Sequence, residues 1–124
     1  KAEQMSDESK AYKKRVGVAL QLNLTLGNLE ARPLQDVQEF YDEGEKMHHC
    51  VYSNEYYKRD DALIFTVRQA NKRLATVEVD INTLRVVQCR GNANSKPPRY
   101  NDIIQMFESA MPKIAKSVKR NQAI

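Results

Sequence analysis

Three evenly spaced runs of apolar and β-branched residues constrain the fold of this chain more than any other feature. They occupy residues 62–69, 73–80 and 84–91, and only three residues separate each run from the next. Connections this short join neighbouring strands as antiparallel hairpins. The sequence therefore predicts a three-stranded antiparallel meander in the second half of the chain.

Alternation within these runs predicts what each face of the sheet carries, because successive strand residues point to opposite sides. The face expected in the core carries Leu63, Phe65, Val67, Ala75, Val77, Val79, Val87 and Cys89. The other face is polar at one end, with Thr66, Arg68, Thr76, Glu78, Gln88 and Arg90, and carries Ile64, Leu74 and Val86 besides. Four of these side chains come from three adjacent strands, and we expect them to lie in one patch: Arg68, Glu78, Gln88 and Arg90. Such a patch binds an anion, positions a reacting group, or is a plain ladder of cross-strand ion pairs.

Patterns outside the meander add one strand and two helices. Residues 16–26 alternate with period two and predict a strand that ends at the turn formed by Gly27 and Asn28. Helical spacing predicts a helix over residues 33–43, with Asp36 near its N-terminus, and a short helix or turn over residues 47–51. A second apolar stripe predicts a helix over residues 100–119, kinked or broken near Met111 by Pro112.

These elements place the chain in the α+β class. The predicted architecture is an antiparallel meander of three strands plus an N-terminal strand, packed with a helix from the N-terminal half and a C-terminal helix on one side of the sheet. At 124 residues the chain is long enough for one core. We expect residues 1–15 to be a charged linker, a flexible arm or a fraying helix, and residues 16–124 to form a single domain.

Composition narrows the classes of function. No apolar run is long enough to span a membrane, and two cysteines without a pairing pattern indicate a reducing, cytoplasmic setting. Nucleotide-binding glycine motifs are absent, and we expect no cofactor. Because the chain begins with Lys1 rather than Met, we expect it to be part of a longer protein. Its oligomeric state is left open.

The positive charge is concentrated at one end of the chain. The formal net charge is +4, and residues 96–124 carry six Lys and Arg against two Asp and Glu. A predicted helix face there contains Lys113, Lys116 and Arg120, with Lys119 beside it. Such a face either neutralises the phosphates of a nucleic acid or is simply solvated.

The segment Met47-His48-His49-Cys50-Val51 has the most reactive composition in the chain, since it holds both histidines and one of the two cysteines. Consecutive residues cannot all reach one metal ion, so a metal site is not expected. Cys50 and His49 diverge if they lie on a helix, which disfavours a nucleophile pair. A histidine that acts as general acid or base is the least demanding arrangement, because it needs only one histidine in a cleft, oriented by a carboxylate such as Glu43 or Glu78. The alternative is that these residues only pack.

Several motifs in order make the chain resemble a known family. "EGEKMHHCV", "ALIFTVR", "ATVEV" and "VVQCRGNANSKPP" follow one another between about residues 33 and 107. This series resembles the PcfJ-like domain of conjugative plasmids, integrative elements and phages. The residues that match the family pattern are Glu43, Gly44, His49, Cys50, Val51, Arg68, Glu78, Gln88, Arg90, Gly91 and Asn94. The chain departs from it just after Cys50, where Tyr52-Ser53-Asn54 replaces the usual glycine.

The resemblance implies a protein of a mobile genetic element, with nucleic acid and other conjugation or mobile-element proteins as partners and no membrane. Three hypotheses follow. In the first, the domain acts on or beside nucleic acid and binds phosphate through Arg68, Arg90 and the C-terminal basic helix. The candidate ligand-binding residues are Arg68, Gln88 and Asn94. In the second, it is an enzyme of unassigned class whose candidate catalytic residues are His49, Cys50, Glu78 and Arg90. In the third, it is a protein-interaction scaffold whose polar cluster only holds the fold.

Overall fold

The computed structural model describes the backbone of residues 2–122 and the side chains of residues 3–119. The α-helices are α1 (Ala2–Val16), α2 (Val37–Met47) and α3 (Tyr100–Gln122). The strands are β1 (Leu24–Leu26), β2 (Leu29–Pro33), β3 (Ala62–Gln69), β4 (Lys72–Asp80) and β5 (Arg85–Arg90). Short 3₁₀ helices cover Gly17–Gln21, Tyr56–Lys58 and Asn92–Asn94.

The five strands form one antiparallel sheet in which spatial order equals chain order, β1-β2-β3-β4-β5. This confirms the α+β class and the predicted meander of β3, β4 and β5. The predicted strand count was one too low. The N-terminal strand is a hairpin of two strands, joined at Gly27 and Asn28, and β2 was not predicted.

The N-terminal strand prediction also began too early. Residues Gly17–Gln21 form a 3₁₀ helix, and only Leu24–Leu26 of the alternating segment is extended. Ala19 and Leu22 are both buried in the core. They lie three residues apart, and the 3₁₀ helix turns once in three residues. Apolar residues in this segment are therefore spaced to fit a tight helical turn as well as a strand, and the period-two pattern alone does not separate the two.

Helices cover both faces of the sheet, and the prediction of helices on one side was wrong. On one face, Phe65 of β3 packs edge-on against Phe107 of α3 with ring centroids 4.9 Å apart. On the other face, Ile64 of β3 packs in a separate cluster with residues of α1 and α2, among them Tyr12 and Phe40. The sheet is consequently apolar on both sides at Ile64 and Phe65, as expected of a sheet between two helical layers.

The charged N-terminal segment forms a helix that packs on the rest of the protein. Tyr12 of α1 is 3% exposed, donates a hydrogen bond to the carbonyl of Leu34 and stacks edge-on against Phe40. Of the alternatives expected for this segment, the structure shows a helix, and one well-placed aromatic side chain anchors it to the rest of the protein. The domain boundary at residue 16 remains a prediction.

Two β-bulges shift the predicted faces at the sheet ends. The register slips between Glu78 and Val79, so that Gln88 opposes Glu78 while Val86 opposes Val79. Val87 is the extra residue and is 54% exposed, whereas Val86 packs on the core. A similar slip next to Arg68 turns Leu74 into the core. Bulges of this kind place two residues opposite one and reverse the alternation beyond them.

The helix boundaries follow local chemistry. Asp36 is the N-cap of α2 and accepts a hydrogen bond from the backbone N–H of Glu39, and α2 ends at His48 in the left-handed conformation. Helix α3 continues through Pro112, so the predicted break near Met111 does not occur. Among the described residues, no helix is both long enough and apolar enough to cross a membrane.

Candidate functional site: a cleft beside the edge strand β5

A cleft of about 400 Å³ opens between the end of α2, the loop that follows it, and strands β4 and β5. We call it the β4–β5 cleft. Its lining is mostly polar and consists of His49, Cys50, Val51, Asn54, Tyr56, Ile64, Thr76, Glu78, Gln88, Arg90 and Asn94. Ligand sites of this size are usual in proteins. Six predicted site residues are thus brought together: His49, Cys50, Glu78, Gln88, Arg90 and Asn94.

Strands β4 and β5 supply one wall of the cleft through two cross-strand pairs. Thr76 lies directly opposite Arg90, and Glu78 lies directly opposite Gln88. Residues opposite each other in a sheet share a face, and so do residues two apart along a strand. The polar face predicted from alternation is therefore real in β4 and β5.

The end of α2 brings His49 into the cleft, against Thr76 of β4. His48 adopts φ 54° and ψ 52°, which ends the helix and turns the chain toward the sheet. The backbone N–H of His49 donates to the carbonyl of Gly44 at 3.1 Å. A Cβ at position 44 would lie only 3.1 Å from the carbonyl oxygen of His49, so glycine permits this close return of the chain.

A chain of hydrogen bonds links His49 to a buried carboxylate. Nε2 of His49 lies 2.8 Å from Oγ1 of Thr76, and the Thr76 hydroxyl donates to Oε2 of Glu43 at 2.6 Å. Because the hydroxyl gives its only proton to Glu43, it must accept the N–H of His49. Nδ1 of His49 in turn accepts the backbone N–H of Val51 at 3.4 Å. These contacts assign the proton of neutral His49 to Nε2.

Glu43 is completely buried, and its hydrogen bonds compensate the cost of burying its charge. Its Oε2 accepts the hydrogen bond from Thr76, and its Oε1 accepts hydrogen bonds from the hydroxyl of Thr66 and from Nε of Arg73, both at 3.0 Å. A buried carboxylate is costly unless it is paired and hydrogen-bonded, and here it is both. Glu43 therefore fastens α2 to β3 and β4 and orients His49 through Thr76.

Burial lowers the pKa of His49 below its ordinary value, and the nearby charge of Glu43 opposes that shift only in part. The ring is consequently neutral at pH 7. Both nitrogens are already engaged, by Thr76 and by Val51. To act as a base, Nδ1 would first have to release the long bond from Val51.

Glu78 does not orient His49, contrary to one prediction. Its Oε1 accepts Nε2 of Gln88 at 3.0 Å, and its Oε2 lies 3.5 Å from the guanidinium of Arg59. Nε2 of Gln88 also donates to the hydroxyl of Tyr56 at 3.0 Å. The carboxylate of Glu78, which was predicted to orient the histidine, is thus hydrogen-bonded to its cross-strand neighbour Gln88.

Arg90 stands at the mouth of the cleft. It is exposed, and its guanidinium forms no salt bridge with another described residue. The loop after it brings Asn94 to the cleft, and the backbone N–H of Gly91 closes this loop on the carbonyl of Ser95 at 2.6 Å. A Cβ at position 91 would lie 2.9 Å from Cα of Pro97, so only glycine fits.

The two cysteines differ in environment. Cys50 is exposed at the rim, whereas Cys89 is 8% exposed and packs in the core. Burial raises the pKa of the Cys89 thiol to about 11. Cys89 therefore packs in the core as predicted, and of the two cysteines Cys50 is the one that lines the cleft.

Arg68 is not brought into the cleft. It lies beyond the bulge in β3, opposite Arg73, and its Nε donates to Thr66 at 3.4 Å. Burial, together with the positive charges of Arg73 and Arg32, lowers its pKa. The basic face of α3 is also separate from the cleft lining: Lys113 donates to the carbonyl of Asn23, and Lys116 and Lys119 lie along the same helix. The side chain of Arg120 lies outside the described residues.

Sequence reasoning missed the cleft residues Asn54, Tyr56 and Thr76 as functional candidates. The phase of β4 gave a signal for Thr76, since it shares a face with Glu78. Asn54 and Tyr56 lie in an irregular loop, where no periodicity exists to follow. Within the described part of the chain, no group of three or more His, Cys, Asp or Glu side chains is placed to hold a metal ion.

Comparison with known proteins gives one match. Neither a curated protein nor a solved structure matches the chain. A family model described as PcfJ-like protein matches residues 1–106, which include the whole sheet, α1, α2 and every residue of the β4–β5 cleft. On this match, the chain belongs to the PcfJ-like protein family.

Proposed function

We propose that this protein serves a mobile genetic element by binding nucleic acid, and that the β4–β5 cleft and the surface next to it form the contact. Membership of the PcfJ-like family supports the mobile-element setting. The edge strand β5 supplies the proposed contact surface. One observation carries the proposal: Gln88 and Arg90 of β5 line both the β4–β5 cleft and a second, neighbouring hollow.

The second hollow extends the polar surface past the edge of the sheet. It has a volume of about 390 Å³ and is lined by Val87, Gln88, Cys89, Arg90, Lys96 and Tyr100. Nζ of Lys96 lies 5.0 Å from the ring centroid of Tyr100. Grooves that combine cations with an aromatic ring are typical of surfaces that bind nucleic-acid strands, because cations meet phosphates and rings meet bases. Here Arg90 and Lys96 are the cations and Tyr100 supplies the ring.

The basic face of α3 is a second proposed contact. It carries Lys113, Lys116 and Lys119, and such residues supply sequence-independent attraction to phosphates. Lys113 reaches Asn23, at the start of the edge opposite β5. The two proposed contacts are therefore at different places on the molecule and can be tested separately.

The test is binding of a fluorescently labelled oligonucleotide, followed by anisotropy over a range of salt concentrations. The double variant Arg90→Gln/Lys96→Gln should weaken binding and flatten the log–log salt slope by about 0.7 for each phosphate it no longer neutralises, or about 1.4 in all. The double variant Lys13→Gln/Lys14→Gln removes the same charge from exposed positions of α1 and is the control. Equal losses of affinity in the two variants would refute a specific contact at β5.

A further inference from the structure

The deep part of the β4–β5 cleft carries negative charge. Glu78 is 5% exposed there, and its nearest cation is Arg59 at 3.5 Å. Arg59 also pairs with Asp61 at 3.4 Å, so one guanidinium is shared by two carboxylates. The group of three keeps a net negative charge. A phosphate that entered the cleft would meet repulsion at its inner end.

The positive charge lies at the rim instead. Arg90 is exposed at the mouth and forms no salt bridge among the described residues, and Lys96 follows it in the adjoining hollow. Phosphates are therefore attracted along the rim and kept out of the interior. A ligand that satisfies both regions has an anionic backbone with uncharged groups projecting from it.

The inner wall offers unused hydrogen-bonding capacity of both kinds. A carboxylate oxygen can only accept, so Gln88 faces Glu78 with its NH₂ group, which also donates to Tyr56. The carbonyl oxygen of Gln88 is left as an acceptor. The hydroxyl of Tyr56 accepts from Gln88 and keeps its own proton to donate. Val51 and Ile64 add apolar surface beside this wall.

From this separation of charge we infer that the nucleic acid is unpaired where it binds, and that one base enters the β4–β5 cleft while its backbone remains on Arg90 and Lys96. The inference rests on the proposed function and specifies its ligand. A nucleobase is uncharged, has donors and acceptors along one edge, and has flat apolar faces. A base within a duplex is paired and stacked, and it cannot reach a recessed wall without leaving the helix.

The first test compares probes that share a phosphate backbone. A short single-stranded DNA, its duplex and an abasic strand of equal length are titrated against the intact protein. The single strand should bind about tenfold more tightly than the abasic strand, because the abasic strand has no bases to place in the cleft. Equal binding of the abasic strand or the duplex would overturn base insertion and leave the proposed function standing. Failure of all three probes to bind would refute the proposed function itself.

A single-stranded RNA of the same sequence separates the two sources of an unpaired base. Tighter binding of DNA assigns the cleft to DNA, and tighter binding of RNA assigns it to RNA. Either result supports entry of a base, provided that the matching abasic strand binds more weakly.

The second test removes one atom from the wall. Tyr56→Phe deletes only the hydroxyl, and it should lower affinity for the single strand severalfold while leaving the abasic strand unaffected. Tyr52→Phe is the matched control, because Tyr52 stacks on Tyr57 and does not line the cleft. Circular dichroism establishes that both variants are folded. If Tyr56→Phe weakens both probes equally, or neither, Tyr56 does not read a base and the inference fails.

Discussion

Replacing Glu43 with glutamine tests the hydrogen-bonded chain that joins α2 to the sheet. The change keeps the size of the side chain but turns one acceptor oxygen into an NH₂ group. If the remaining oxygen keeps Thr66 and Arg73, the new NH₂ group faces the hydroxyl of Thr76. The Thr76 hydroxyl oxygen then accepts hydrogen bonds from both the new NH₂ group and His49, and the hydroxyl's own proton has no acceptor.

The size of the effect follows from the contacts. Glu43→Gln loses one hydrogen bond to a carboxylate and removes the countercharge of Arg73, whose side chain is 24% exposed. A hydrogen bond to a charged group contributes about 1.5–3 kcal/mol, and solvent partly compensates Arg73. We expect the free energy of unfolding to fall by about 3 kcal/mol, which for a chain of this length lowers Tm by about 10 °C.

Thermal and urea unfolding of the wild type and the variant measure this loss. Glu45→Gln is the control, because Glu45 lies on the same helix, is exposed and changes the net charge by the same amount. It should shift stability by less than about 0.5 kcal/mol. Nitrogen-15 NMR of the imidazoles provides a second readout. Wild-type His49 should carry its proton on Nε2, and the variant should lose that preference.

Two results would contradict this reasoning. If Glu43→Gln is as stable as Glu45→Gln, the buried carboxylate does not hold α2 on the sheet. If the proton of wild-type His49 resides on Nδ1, the direction of the chain from His49 through Thr76 to Glu43 is wrong.

Three further predictions concern titration, reactivity and charge. The folded-state pKa of His49 is lowered below 6.5, so the unfolded chain binds protons more readily, and the free energy of unfolding should fall as pH drops from about 7.5 to about 5. In unfolding experiments, His49→Gln should flatten this pH dependence. His48→Asn is the control and should leave it unchanged. Iodoacetamide should label Cys50 quickly and Cys89 at least about a hundredfold more slowly, as mass spectrometry will reveal, since Cys89 is buried and its pKa is raised to about 11; equal slow rates would exclude Cys50 as an accessible nucleophile. Replacing Lys113, Lys116 and Arg120 of α3 with glutamine should flatten the salt slope of oligonucleotide binding by about 0.7–0.9 for each phosphate that is no longer neutralised. An unchanged slope would mean that this face is only solvated.

The sheet was predictable where pairing is local. Two residues separate β3 from β4 and four separate β4 from β5, and connections this short allow only hairpins. The order and direction of these strands therefore follow from spacing alone. The bulges were not predictable, because nothing in the composition of β5 marks Val87 as the extra residue. The role of α1 was missed for a different reason: its packing depends on Tyr12 meeting Phe40, a contact between distant parts of the chain.

The candidate site divides along the same line. Strand phase places four residues on one face of the sheet: Thr76, Glu78, Gln88 and Arg90. The family motifs include three of them, Glu78, Gln88 and Arg90. The link from His49 to Glu43 needs α2 to lie on the polar face of the sheet. The prediction of helices on one side left that face without α2, and no such link can form there. Arg68 was grouped with the site because alternation alone does not reveal the slip beside it.

The nearest-neighbour order of the sheet has a consequence for synthesis of the protein. All five strands emerge from the ribosome before α3, and each can pair with the strand made just before it. Phe65 and Val77 remain uncovered until Phe107 and Ile114 of α3 arrive. At about 5–20 residues per second, that interval lasts on the order of seconds. A nascent chain that stalls within α3 would thus present a nearly complete sheet with one bare apolar face, the kind of surface that chaperones bind and that aggregates form on.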